Sequence, residues 1–373
     1  MAAASRIARA CAKPAWGRHN SAVKPNRHPI GLLTAAAASI LLVATSLAAC
    51  GSPAASSTPS SSSTPVAIVP DAATATAGLP ESPNPTASSA MAAATASPTA
   101  VPAPSGSAVL VGAGDICQVF ASGNALHTAT LVEALPSAGV FTLGDNSNDS
   151  GTAAQYATCY GSTWGAFKSR TRPTAGNHDH LTSDGAPYYA YFGSAAGPAG
   201  KGYYSYDLAA NWHVIVLNAI CAEVGGCGAG SIQETWLRAD LAANSGKHVI
   251  AMWHIPRFSS GLHGGSTDYQ TWWQDLYDAH AEIVLNGHDH EYERFAPQSP
   301  TGAADSRGIR EFVVGTGGAI PAPFLTVRAN SEVRRAGTYG ALKLTLTDRS
   351  YAWQFIPVAG SSFTDSGETA THD

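Results

Sequence analysis

No aspartate or glutamate occurs between Met1 and Pro29, no charge of either sign between Ile30 and Cys50, and no basic or aromatic residue between Gly51 and Ser105. The third stretch, rich in Ser, Thr, Ala and Pro with only Asp71 and Glu81 as charges, cannot bury enough apolar surface to offset the entropy of ordering it. A packed domain is therefore excluded there, and residues 50–105 are expected to be a disordered spacer holding a domain away from a surface. Basic residues are scarce in the rest. Six of the 21 lysines and arginines (Arg6, Arg9, Lys13, Arg18, Lys24 and Arg27) lie before Ile30, leaving fifteen against 26 acidic residues, a net of −11. That balance excludes the electrostatic footprint of a nucleic-acid binder. An anionic substrate would have to be attracted locally, and a metal ion is the obvious means.

The basic segment followed by "IGLLTAAAASILLVATSLAAC" has the order of an export signal, expected over 1–49. The run is also close to the length that spans a bilayer, so an uncleaved anchor is the alternative. Its last residues, "LAAC", resemble the lipobox of bacterial lipoproteins. That resemblance implies removal of the signal before Cys50, lipid on Cys50, an N-terminal membrane anchor and an exported location, at the cell surface or secreted. Cys11 falls in the signal, and Cys117, Cys159, Cys221 and Cys227 remain. Four cysteines in an exported domain predict two disulfides, with three pairings open. Cys221 with Cys227 would close the loop "CAEVGGC" and leave Cys117 with Cys159; free buried thiols are the alternative.

Residues 106–363 are long enough for one sizeable domain, with a flexible tail expected over 364–373. Short apolar runs end in polar groups: "AVLVGAGD", "GVFTLGD", "HVIAMWH" and "AEIVLNGH". "NALHTATLVEAL" has helical spacing, with Asn124 as its expected cap and Pro136 beyond it. Capping boxes, Ser231 with Glu234 and Thr267 with Gln270, open two further helices. "GYYSYDL" with "WHVIVLNA" and "GALKLTL" with "YAWQFIPV" read as antiparallel hairpins. Apolar strands alternating with helices predict an α/β sandwich with buried sheets. Tyr269, Trp272 and Trp273 have the spacing of core residues.

In such folds ligand sites lie past the carboxyl ends of the strands. Asp115, Asp145, His254, His288 and His290 all stand there, and Asn177 sits in "GNHDH" after the weaker strand "RTRPTA". Each alone has an ordinary explanation: Gly-Asp and Asn are turn chemistry, and His254, beside Trp253 and Pro256, would pass for a core histidine. As a set, two aspartates, an asparagine and three histidines suit divalent or trivalent metals and exceed what one tetrahedral ion needs. Residues i and i+2 of an extended segment point the same way, so His288 and His290 can each serve one of two neighbouring ions.

"GDIC", "GDNSN", "GNHD", "MWH" and "NGHDH", followed by "GTGG", in this order and over nearly the whole domain, resemble the calcineurin-like metallophosphoesterases, most closely the purple acid phosphatase branch. The resemblance implies an αββα four-layer sandwich of two mixed β-sheets flanked by helices. It implies two divalent or trivalent metal ions (Fe, Zn or Mn) and an exported phosphoric ester hydrolase, in first place a phosphomonoesterase acting on a phosphorylated small molecule through a metal-activated hydroxide. Asp115 would bind the first metal and Asp145 would bridge both. Asn177, His254 and His288 would complete the second metal, and His290 would return to the first. His178 matches the histidine near the leaving group, Asp179 would orient it, and His263 falls where relatives place a substrate-contacting histidine. Arg257 and Arg294 are candidates for the outer part of a substrate, against the ordinary reading that they pair with acidic neighbours.

Two positions depart from the pattern. The tyrosine that colours purple acid phosphatases stands three residues after the bridging aspartate, where this chain has Asn148. The histidine of other members stands two after the first aspartate, where this chain has Cys117. Asn148 is therefore a candidate to supply an amide oxygen to the first metal, and a colourless enzyme is expected. The alternatives are a phosphodiesterase using the same centre, or a metal- or phosphate-binding lipoprotein without turnover. No sequence feature points to a protein partner.

Overall fold

The computed structural model describes residues 106–372; the expected export signal, Cys50 and the spacer lie outside the described residues. In chain order the strands are β1 (Ala108–Ala113), β2 (Gly139–Thr142), β3 (Thr171–Arg172), β4 (Tyr204–Asp207), β5 (Trp212–Val216), β6 (His248–Met252), β7 (Ile283–Asn286), β8 (Tyr292–Phe295), β9 (Arg310–Val314), β10 (Ser331–Arg335), β11 (Gly340–Leu346), β12 (Ser350–Pro357) and β13 (Ser366–Ala370). The helices are α1 (Ser122–Glu133), α2 (Ala153–Gln155), α3 (Asn177–His180), α4 (Ala186–Phe192), α5 (Ile232–Ala243) and α6 (Gln270–Asp278), joined by short 3-10 and π turns.

Two mixed sheets result, ordered β13-β12-β11-β1-β2-β3 and β10-β8-β9-β7-β6-β5-β4. In the first sheet the parallel strands β1–β2–β3 form one side and the antiparallel β11, β12 and β13 the other; in the second, β5–β6–β7–β9 form a parallel centre with antiparallel strands at both edges. The period of two along a strand sorts the side chains. Val214, Ile250, Met252, Ile283 and Leu285 fall into the cluster shared with Leu110, Phe141, Leu342 and Leu344 between the sheets. Their neighbours Ile215, Val249, Ala251, Trp253 and Val284 turn the other way, onto Leu237 and Leu241 of α5 and Trp272, Trp273 and Leu276 of α6. Strands buried on both faces need continuous apolar runs, which is what the sequence shows. This is the expected arrangement of two mixed sheets flanked by helices.

Helix α1 buries Ala125, Thr128, Ala129 and Val132, one stripe at helical spacing. Asn124 is not its cap. It lies in the first turn, and its amide donates to the Gly318 carbonyl and the Tyr339 hydroxyl at 3.2 and 2.9 Å, tying the helix to distant loops. Ser231 caps α5 as expected, accepting from the Glu234 N–H. The turn leading into α6 is capped one residue earlier than its pattern suggested, by Ser266 accepting from the Asp268 N–H. Both disulfides are present, Cys117–Cys159 and Cys221–Cys227.

The expected flexible tail is corrected: β13 pairs antiparallel with β12 from Ser350↔Ala370 to Gln354↔Ser366. Its sequence, "SGETA", carries no apolar alternation because it is an edge strand with both faces largely wet. Backbone pairing holds it, together with the His372 N–H donated to Glu282 at 2.6 Å.

Candidate metal centre

The parallel strands of both sheets end at one place. Asp115 follows β1, Asp145 follows β2, Asn177 follows β3 and opens α3, His254 follows β6, and His288 and His290 follow β7. Asp115, Asp145 and His288 adopt φ values of +58°, +49° and +72°. The left-handed region costs a non-glycine residue about 1–3 kcal/mol; here it turns each side chain back over its strand end. The preceding glycines answer a second demand. A Cβ on Gly144 would overlap the His254 ring, and one on Gly176 would overlap Asp145 Oδ1.

The ligand-type atoms converge. One oxygen or nitrogen each from Asp115, Asp145 and His254, all buried, lie within 4.8 Å of one another. His254 donates Nδ1–H to the Leu143 carbonyl at 2.7 Å, which turns Nε2 toward the other ligand-type atoms. That atom lies 3.0 Å from Asn177 Oδ1, 3.2 Å from His288 Nδ1 and 3.4 Å from Asp145 Oδ2. His290 likewise donates Nδ1–H to the Ile320 carbonyl at 2.7 Å, and its Nε2 stands 3.4 Å from Asp115 Oδ1. Asn148 is buried beside it, with Nδ2 3.3 Å from His290 Nε2. All six predicted ligands and Asn148 are thus brought together.

These residues fit a metal. Asp115 Oδ1 and Asn148 Oδ1 are buried with no hydrogen-bond partner, a costly state for a polar atom unless a cation meets it. Two imidazole nitrogens 3.2 Å apart (His254 and His288) also call for a proton or a cation at their meeting point. The titration of the side chains themselves carries the same sign. Burial opposes charge on His254, but Asp145 and Asp115 overcome it and push the ring up to about 9. Burial opposes charge on His290 too, and Asp115 carries it up to about 9. Burial favours protonation of Asp145, yet His254 and His178 hold it down at about 2. His288, buried and beside His254, falls to about 3 and is neutral. Oxygen and imidazole donors of this kind suit divalent ions. Metal uptake must displace the protons of His254 and His290, so raising the pH from about 6.5 toward 9 should favour it. Adding Zn²⁺ or Mn²⁺ to metal-free protein in weak buffer at pH 7.5 should release about two protons, falling toward none above pH 10. Indicator absorbance reads the effect, and no release at pH 7.5 would contradict this ligand set.

His178 donates Nδ1–H to the Asp149 carbonyl at 2.9 Å, and its Nε2 lies 3.8 Å from Asp145 Oδ2 at the pocket edge. The expected role of Asp179 is corrected. Its carboxylate accepts from the backbone N–H groups of Asn146, Ser147 and Gly176, the Asn146 amide and the Tyr156 hydroxyl, and it makes no bond to His178. It is fully buried and staples the Asp145 loop to the Asn177 loop. His263 is half exposed, with its ring centroid 4.6 Å from that of His288.

Asp289, between the two histidines of "GHDH", was missed as an orienting residue. It accepts the backbone N–H groups of His263 and Gly264 and the Ser259 hydroxyl, with His263 Nδ1 at 3.2 Å. Its place between the two ligand histidines was the available signal; the extended geometry expected for 288–290 is corrected, since these residues form a bend with His288 at φ +72°. Arg257 and Arg294 are not brought to the pocket. Arg257 bonds the Gln270 amide oxygen and stacks 4.3 Å over Phe258. Arg294 is buried, bonds Asp365 at 2.7 Å and Glu332, and lies 4.9 Å over Trp353. In a chain with so many carboxylates a buried guanidinium finds a carboxylate partner, and this one locks β8 to the segment before β13. Cys117 is in its disulfide and offers no thiolate.

Residues 109–292 match the model of the family described as calcineurin-like phosphoesterase. Among solved structures, a purple acid phosphatase from seeds of yellow lupin (Lupinus luteus) is 20% identical, with a TM-score of 0.58, over 72% of this chain and 55% of its own. GAP50, described as the anchor in the inner membrane complex of Plasmodium, is 13% identical, with a TM-score of 0.57, over 72% and 90%. A dimetal phosphatase from Danio rerio is 12% identical, with a TM-score of 0.50, over 69% and 98%. The chain spans about half the length of the lupin protein. No curated protein sequence matches it. At these identities the structural likeness is one of fold, while the family match covers the strands and loops that carry all six candidate ligands. Residues 109–292 are therefore a calcineurin-like phosphoesterase domain.

Proposed function

We propose that this chain is an exported, lipid-anchored phosphomonoesterase with a dinuclear metal centre. The observation that carries this reading is the convergence of Asp115, Asp145 and His254 within 4.8 Å, with Asn177, His288 and His290 around them and His178 at the edge. Asp145, Asn177, His254 and His288 would hold one ion; Asp115, His290, Asn148 and the shared Asp145 would hold the other. Bound divalent ions supply Lewis acidity to the phosphoryl oxygens and acidify water for attack at phosphorus. The chain's own residues do the rest. The Leu143 and Ile320 carbonyls fix His254 and His290 in the tautomer that presents Nε2. The Asp149 carbonyl holds His178 Nδ1–H, so a protonated His178 turns its Nε2–H toward the pocket and delivers that proton to the departing alcohol oxygen. Asp289 aims His263 at the same space.

Elemental analysis of purified full chain, with rates on an aryl phosphate and the matching diester, tests the reading. About two metal equivalents and faster monoester hydrolysis are expected; faster diester hydrolysis would select the phosphodiesterase. Stoichiometric metal with no product would select the non-catalytic binder. Because Asn148 replaces the colouring tyrosine, iron-loaded protein should lack a tyrosinate-to-iron band in its visible spectrum. A purple protein would refute the assignment of Asn148.

A further inference from the structure

Nine large apolar side chains are exposed among the described residues, and seven of them lie on segments that carry residues of the metal centre or are hydrogen-bonded to its loops. Phe120, 72% exposed, sits on the turn after Cys117 beside Val119, whose N–H donates to Asp149, the residue that holds His178. Leu181 follows α3 and donates its N–H to the His178 carbonyl at 3.2 Å. Leu262 adjoins His263. The carbonyl of Ile320 holds the His290 ring, and the Leu325 N–H and Arg328 N–H donate to Ser260, which binds the segment after Ile320 along the His263 loop. That segment reads "IPAPFLTVR". It contains two prolines, no acidic residue and one cation, Arg328, whose guanidinium donates to the Ser259 carbonyl at 3.1 Å.

Exposed apolar side chains on several segments tied to one pocket, in an acidic chain, are the features of a binding surface. Its position says what it binds. The ligand's phosphate end is placed by the metal centre, so whatever covers the collar is attached to that phosphate. The prolines stiffen the collar and reduce the entropy lost on binding. We propose that the substrate is an amphiphilic phosphate ester: its phosphoryl group enters the Asp–His pocket, and its alcohol carries an apolar chain that lies against Phe120, Leu181, Leu262, Ile320, Leu325 and Val327. The inference rests on reading the pocket as a phosphoesterase.

The test is the kcat/KM of metal-loaded full chain on alkyl monophosphates from ethyl to decyl, below micelle formation. A rise of about two- to fourfold per added methylene is expected over the first several carbons, the upper figure being full burial of each methylene. The Phe120→Ser/Leu325→Ser variant should flatten the series. Calorimetry with decylphosphonate and ethylphosphonate reads the same contact without turnover: tighter binding and a negative heat-capacity change are expected for decyl alone. Hydrolysis of every ester at one rate, with equal phosphonate affinities, would overturn the collar and leave the phosphoesterase reading standing. No hydrolysis of any ester would overturn both. A dimer in sedimentation that the double variant abolishes, without chain-length dependence, would give the collar to a second copy and overturn the proposal.

Discussion

Asp145→Asn is expected to abolish metal uptake at both positions and to lower phosphate ester hydrolysis on the order of 1,000-fold or more. The substitution keeps an oxygen for the His178 N–H that Asp145 Oδ1 now accepts at 2.9 Å, so the loop needs little rearrangement. What disappears is the negative charge that His254 and His178 hold in place and that stands at the junction of the two ligand groups. Removing it leaves His254 buried beside a neutral amide, and its pKa should fall back from about 9. Metal content by elemental analysis and turnover on an aryl phosphate check the expectation; an Asp145→Asn variant that retains both metals and wild-type turnover would dismiss the bridging role.

His178→Ala should behave differently. Its ring touches the pocket only from the edge, 3.8 Å from Asp145 and a third exposed, and it is assigned no metal. Metal content should therefore survive while kcat falls about 100- to 10,000-fold on esters of ordinary alcohols. The loss should shrink on aryl phosphates with acidic phenols, because a good leaving group departs without a proton. Loss of metal in the variant, or an equal drop on both ester classes, would remove the general-acid assignment.

The fold was legible because both of its signals are local. Apolar runs such as "HVIAM" and "IVLN" announce strands buried on both faces, and Ser231 announces the start of α5. The metal pocket was legible for a related reason: ligand-type residues and glycines stood together at strand ends, and a strand end leads into a loop site in any parallel sheet. Where pattern failed, the deciding contact was distant. Asn124 looked like a cap because nothing nearby reveals that Gly318 and Tyr339 come to meet it. Arg294 followed a histidine block and looked available for substrate until Asp365, far along the chain, was placed beside it. The tail offers no local sign of its order, because backbone pairing to β12 leaves no trace in side-chain hydrophobicity.

By itself the sequence determined which residues end the strands, and therefore that oxygen and imidazole donors are present in numbers suited to metal ions. Only the tertiary structure decided that β1 and β2 of one sheet and β6 and β7 of the other end at the same point, and that Asp179 joins loops instead of steering His178. Those are relations between segments far apart in the chain, governed by strand order and sheet packing, which no local pattern of residues encodes.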